Sequence, residues 1–121
     1  PVSPGEKIET AVKELLKLLE NHTGALHFLF ITQASVSDSI PEKAKEILRQ
    51  KHALPYESIA RIMRKGRKDG SIKKHNAREL ALVFWASISG LAINKAIHRD
   101  DYQSPDPLIL AGMFLHDTKN G

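Results

Sequence analysis

Ala25-Leu26-His27-Phe28-Leu29-Phe30-Ile31 is the one stretch of this sequence that reads as a buried strand, and its assignment decides the fold class. An apolar run of that length suits either a buried strand or a buried helix. No second run in the chain offers itself as a partner strand. A lone strand in an interior would leave its N–H and C=O groups unpaired. The stretch is therefore read as part of a helix from His22 or Thr23 to Ser37. Because it is apolar nearly all round, it is expected to be the central helix, buried on every side.

The neighbours on both sides are helical in period. Upstream, Ile8, Ala11, Val12, Leu15, Leu16 and Leu19 form one apolar stripe between Gly5 and Glu20, with Lys and Glu opposite and Pro4 at a tolerated helix start. Downstream, Ser39-Ile40-Pro41-Glu42 opens a short third helix ending near His52, with Ile40, Ala44, Ile47 and Leu48 inward. Pro55 breaks or kinks the path and begins a fourth helix that stops at Gly70, a left-handed C-terminal position. Asn76-Ala77-Arg78-Glu79 resembles a capping box and starts a fifth helix reaching about His98. That helix, about 35 Å long, carries two apolar stripes: Leu80, Phe84, Ile88 and Leu91 on one, Ala86, Gly90, Ile93 and Ile97 on the other. Asp106 caps a last helix from Pro107 to about Asp117. The expected architecture is one all-α domain over residues 1–121, a bundle of about six helices. The last two carry more apolar surface than one small core absorbs, which points to burial against another chain.

Composition narrows the chemistry. The 121 residues are 41% hydrophobic and 26% charged, ordinary for a globular domain and too apolar for disorder. The absence of cysteine excludes disulfides, thiolate ligands and a cysteine nucleophile, and fits a reducing, cytoplasmic setting. Net charge is +4, which permits an anionic partner without requiring one. No apolar run approaches the roughly 20 residues needed to span a bilayer, and the start has no leader pattern, so no membrane partner is expected. The opening Pro1-Val2-Ser3-Pro4-Gly5, without methionine, points to a fragment or a processed product.

The chemistry-bearing residues form no catalytic or metal-binding pattern. His22, His27, His52, His75, His98 and His116 contain no i, i+4 pair and no Glu-x-x-His, so no metal or other cofactor is expected. Five sit near helix ends. His27, alone on an apolar helix, is either a core histidine bonded to a neighbour or a polar group orienting a ligand. The serines form no Gly-x-Ser-x-Gly elbow, and Ser87 and Ser89 read as helical residues that bond back or permit close approach. The chain is not expected to be an enzyme. Arg61, Arg64, Lys65, Arg67, Lys68, Lys73 and Lys74 face only Asp69. They read as a phosphate contact or, more simply, as the solvated face and cationic end of the fourth helix.

The order of these parts resembles the C-terminal domain of TetR-family transcriptional regulators. Arg61-Ile62-Met63-Arg64-Lys65-Gly66-Arg67-Lys68-Asp69-Gly70-Ser71-Ile72 looks like the family's paired glycines four apart, followed by an apolar residue. Ala77-Arg78-Glu79-Leu80-Ala81 through Ser89-Gly90-Leu91-Ala92 looks like its Glu-Leu-Ala opening and Gly-Leu centre, and Pro107 to Leu115 like its closing dimer helix. The resemblance implies a homodimeric regulatory domain, in a repressor, whose small effector controls operator binding by an N-terminal helix-turn-helix module. No such module precedes Glu6, so DNA contact is expected only through the parent protein. The alternative is a helical-bundle interaction domain with no small-molecule ligand.

Two sets of residues follow. The dimer contact is expected at Ala86, Gly90, Ile93, Ala96, Ile97, Leu110, Met113 and Phe114. An effector pocket is expected where the central helix meets the fourth and fifth. It takes His27, Phe30, Ile31 and Ala34 from the first of these, Ile59, Ile62 and Met63 from the second, and Phe84, Ser87 and Ile88 from the third. No carboxylate occurs among them, so the effector is expected to be largely apolar and neutral or anionic.

Overall fold

The structure, a computed structural model, describes residues 2–34 and 36–116, with backbone only at 52–54. It is all-α. Five helices occur among the described residues: α1 (Pro4–Glu20), α2 (His22–Ala34), α3 (Glu42–Asp69), α4 (Ala77–His98) and α5 (Pro107–Gly112). A single 3-10 turn, Arg99–Asp101, follows α4. The second and last helices stop short of their expected ends at Ser37 and about Asp117: Val36 and Ser37 lie outside α2, and α5 ends at Gly112 with Met113 to His116 non-helical, while Ser35 and Asp117 themselves lie outside the described residues.

Local chemistry sets most boundaries. Ser3 Oγ accepts from the Glu6 amide at 3.1 Å and Pro4 takes the first helical position of α1. Asn76 Oδ1 accepts from the amides of Arg78 and Glu79 at 2.9 and 3.2 Å, and Asp106 Oδ1 from Leu108 at 2.9 Å. Asn21 joins α1 to α2 without a loop, its Oδ1 accepting from Thr23 N at 2.9 Å. The turn brings α2 so close that a Cβ on Gly24 would lie 2.7 Å from the Leu18 carbonyl oxygen.

The glycines four apart have separate duties. Gly70 ends α3 at φ 88°, a conformation other residues reach only at a cost. Gly66 lies under Ile72, where a Cβ would meet Ile72 Cγ1 at 2.5 Å. Ile72 is fully buried, and the amides of Gly70 and Ile72 both donate to the Gly66 carbonyl, at 3.0 and 3.1 Å. The apolar residue after the glycines thus folds back over the helix it has just left. From there the chain pairs with the segment after α5: Lys73 N donates to Phe114 O at 2.9 Å and His116 N to Ser71 O at 3.1 Å.

Three expectations are corrected. The third and fourth helices are one: α3 runs 28 residues with Pro55 inside it. Proline removes one backbone donor, but packing on the far side (Ile59, Ala60 and Met63 are all buried) outweighs that loss. The second correction concerns α2, which is not central. Only Ala25 and Ala34 are buried, while Leu26 and Phe30 face outward. Its apolar circumference is covered on one side by α1, α3 and α4. The central element is α4, which packs against α1, α2 and α3. Its inner face, Leu80, Ala81, Phe84, Ile88 and Ala92, joins Ile8, Val12, Leu16, Leu19 and Met63 in one core. The third correction is one of length. Ala77–Asp101 is long and apolar enough to cross a membrane, because small polar residues interrupt its apolar runs without breaking its average. Within this fold its inner face is core.

Candidate functional site: a four-helix cavity and an outward apolar seam

A cavity of about 540 Å³ opens between the first four helices. Leu15 and Leu18 of α1 form one wall, and Gly24, His27, Phe28, Ile31 and Thr32 of α2 a second. Leu48, Lys51 and Pro55 of α3 and Trp85 of α4 complete it. The α2 residues recur at three- and four-residue steps, so one helical face sees the cavity. Gly24 contributes by having no side chain where α2 turns away from α1. The volume falls in the range of small-molecule sites.

The polar groups of the lining divide sharply. Thr32 Oγ1 donates to the Phe28 carbonyl at 3.0 Å, and Trp85 Nε1 to the Pro55 carbonyl at 3.3 Å, so both are committed to the scaffold. The Trp85 bond also closes α4 onto α3 at Pro55, and the indole stands edge-on to Phe84 at 5.2 Å. His27 and Lys51 are exposed, and neither has an ion-pair partner among the described residues. Among the described residues no Asp or Glu lines the cavity.

Of the ten expected pocket residues, the structure brings His27 and Ile31 to the cavity. Ala34, Ile59, Met63, Phe84 and Ile88 are buried as core packing. Ile62 packs against that core, half-buried. Ser87 Oγ donates back to the Val83 carbonyl at 2.8 Å, the back-bond expected of a helical serine. Phe30 is 71% exposed. The aromatic on the cavity face is Phe28, two positions earlier and far round the helix. Sequence reasoning missed it, with Leu18, Lys51 and Trp85, because periodicity gives the faces of a helix and not which face a distant element meets.

The second surface is the outer side of α4. Leu82, Ala86, Gly90, Ile93 and Ile97 follow one another at steps of four, four, three and four, opposite the core face. That spacing makes a straight seam of the kind that packs against another helix. Ile93 and Ile97 are 48% and 66% exposed, and a Cβ on Gly90 would meet nothing within 4 Å. Ile109 and Met113 near α5 are also exposed. Two expected dimer residues are corrected. Leu110 and Phe114 are buried within this chain, with the Phe114 ring 5.7 Å from that of Phe84. α5 and the turn after it carry them inward to close the core, so a Phe114→Glu change would attack the fold rather than a dimer.

The basic segment lies along the end of α3 and the turn after it. Arg61, Arg64, Lys65 and Lys68 are exposed and recur as one helical face, with no ion pair among the described residues. Arg67 and Lys73 are tied into the scaffold, donating to the carbonyls of His75 and Gly112 at 3.2 Å each. Asp69, the lone acid, accepts from Ser71 Oγ at 2.7 Å and Ser71 N at 2.9 Å. Those two bonds hold its carboxyl below the usual range. Among the described residues no three of His, Asp and Glu converge as a metal site requires.

Neither family models, nor curated proteins, nor solved structures match this chain.

Proposed function

We propose that the chain is the regulatory domain of a TetR-type transcriptional repressor acting in the cytoplasm. In this reading it binds a small apolar effector in the four-helix cavity and homodimerises along the outer face of α4. It thereby controls operator binding by an N-terminal DNA-binding module. One observation carries the reading: α4 is the shared wall of two apolar surfaces. Trp85 borders the cavity, while Leu82, Ala86, Ile93 and Ile97 form the outward seam.

The mechanism follows from that shared wall. An effector that binds one placement of α4 better than another shifts the population toward it. A partner α4 packed on the seam passes the shift across the two-fold axis. Paired recognition helices must stand about one DNA turn, roughly 34 Å, apart to read two half-sites. A small tilt of α4 therefore changes operator affinity, and operator occupancy in turn changes effector affinity by the same factor.

Native mass spectrometry of the chain purified from cells tests both halves at once. The reading expects a dimer that carries or accepts one apolar ligand per chain. A monomer with no ligand uptake sinks it. The alternative, an interaction domain without a ligand, draws on the exposed Phe30 and Val36. It predicts a different protein partner and a cavity that takes up nothing.

A further inference from the structure

The cavity's lining is specific about the charge of what enters it. Its walls are leucines, Phe28, Ile31, Pro55 and Trp85, so the body of a ligand must be apolar. Thr32 and Trp85 have spent their donors on backbone carbonyls. Among the described residues, the side chains left to meet a polar group are Lys51 from α3 and His27 from α2, both exposed and therefore where the cavity meets solvent. No carboxylate among the described residues lines the site to balance a positive ligand.

We propose that the cavity takes a singly anionic amphiphile, its apolar tail against Phe28, Ile31 and Trp85 and its carboxylate or equivalent head at the rim on Lys51, with His27 as a second donor. This rests on the cavity being a ligand site, and it adds the headgroup and the residue that reads it. The alternatives fare worse on the same geometry. A cation gains from the Trp85 and Phe28 ring faces, but it meets the fixed charge of Lys51 with no acid to offset it. A neutral alcohol keeps the apolar burial and forgoes the charge-assisted bond. An anion deep in the cavity would be desolvated among apolar walls without a partner, which places the head at the rim.

Trp85 is the chain's only tryptophan and borders the cavity, so its emission reports occupancy directly. The experiment titrates the 121-residue chain with dodecanoate, dodecanol and dodecyltrimethylammonium, each below its micelle or solubility limit. Isothermal calorimetry provides a second readout, and far-UV circular dichroism checks that every variant is folded. Dodecanoate should bind at least about tenfold tighter than the other two, the size expected of one charge-assisted hydrogen bond. Lys51→Met, which keeps the apolar stem, should remove that preference, and Lys51→Arg should retain it. His27→Gln should weaken dodecanoate by a smaller factor and leave dodecanol unchanged. Equal binding of dodecanol, tighter binding of the ammonium compound, or indifference to Lys51→Met overturns the headgroup assignment while leaving the cavity a ligand site. Failure of all three to bind or to move Trp85 emission overturns the cavity reading itself.

Discussion

Ile97→Glu and Phe114→Ala separate the dimer seam from the core. Ile97 is 66% exposed in the single chain, so a carboxylate there stays hydrated and should shift monomer stability by no more than about 0.5 kcal/mol. If the α4 seam is a two-fold interface, each dimer buries that carboxylate twice. At roughly 3 kcal/mol for each unpaired buried charge, the dissociation constant should rise about 10⁴-fold. Phe114 is 1% exposed, with its ring against Phe84. Phe114→Ala should cost about 3–5 kcal/mol of folding stability. Sedimentation velocity from nanomolar to micromolar concentration, beside urea unfolding of each variant, reads both effects. The expected pattern is a folded monomer for Ile97→Glu and an unstable chain for Phe114→Ala. A parent chain that is monomeric throughout, or an Ile97→Glu chain that dimerises as before, refutes the seam. A Phe114→Ala chain that unfolds like the parent but loses its dimer refutes the assignment of Phe114 to the core.

Three further outcomes follow from local geometry. Gly66→Ala should destabilise the chain by about 1–3 kcal/mol in urea unfolding, because the new methyl would overlap the buried side chain of Ile72. Asp69, held below its usual range by Ser71, stabilises the turn after α3 at pH above the unfolded aspartate value of about 3.9. That contribution should fade as pH falls through the lowered folded value, and Asp69→Asn should flatten the acid limb of a stability–pH curve. The isolated chain should bind duplex DNA without sequence preference, if at all, through Arg61, Arg64, Lys65 and Lys68. Any such binding should weaken steeply as salt rises in a fluorescence titration. Selective binding of one sequence at physiological salt would contradict it.

The helices were legible where short-range chemistry settles them. Ser3, Asn76 and Asp106 cap as their side chains demand, and Gly70 stops α3 in the left-handed region. The two stripes of α4 also divide as their periods say, one inward and one outward. Pro55 misled because a local rule met a tertiary competitor: buried packing at Ile59, Ala60 and Met63 keeps α3 continuous through it. The α2 helix misled because a high apolar content was equated with full coverage, and this chain covers only the Ala25–Ala34 side. The cavity was the least legible feature. Its walls come from four helices, and Lys51 reaches it as a polar residue that an apolar stripe does not single out.

Taken alone, an outward apolar seam is a solubility cost, and a half-open cavity is a loss of packing. One helix, α4, takes part in both here, and the arrangement limits how they can act. Between Trp85 at the cavity and Ala86 on the seam lies a single peptide bond, so a shift of the α4 backbone there displaces a residue of each surface. The committed bond from Trp85 to Pro55 fixes α4 to α3 at the point where proline has already removed a backbone bond. Pro55 itself lines the cavity, as Leu48 and Lys51 do. In the proposed reading, a ligand seated against Trp85 would act on the joint between the two long helices, and the seam on the far side of α4 is where its effect would reach a second chain.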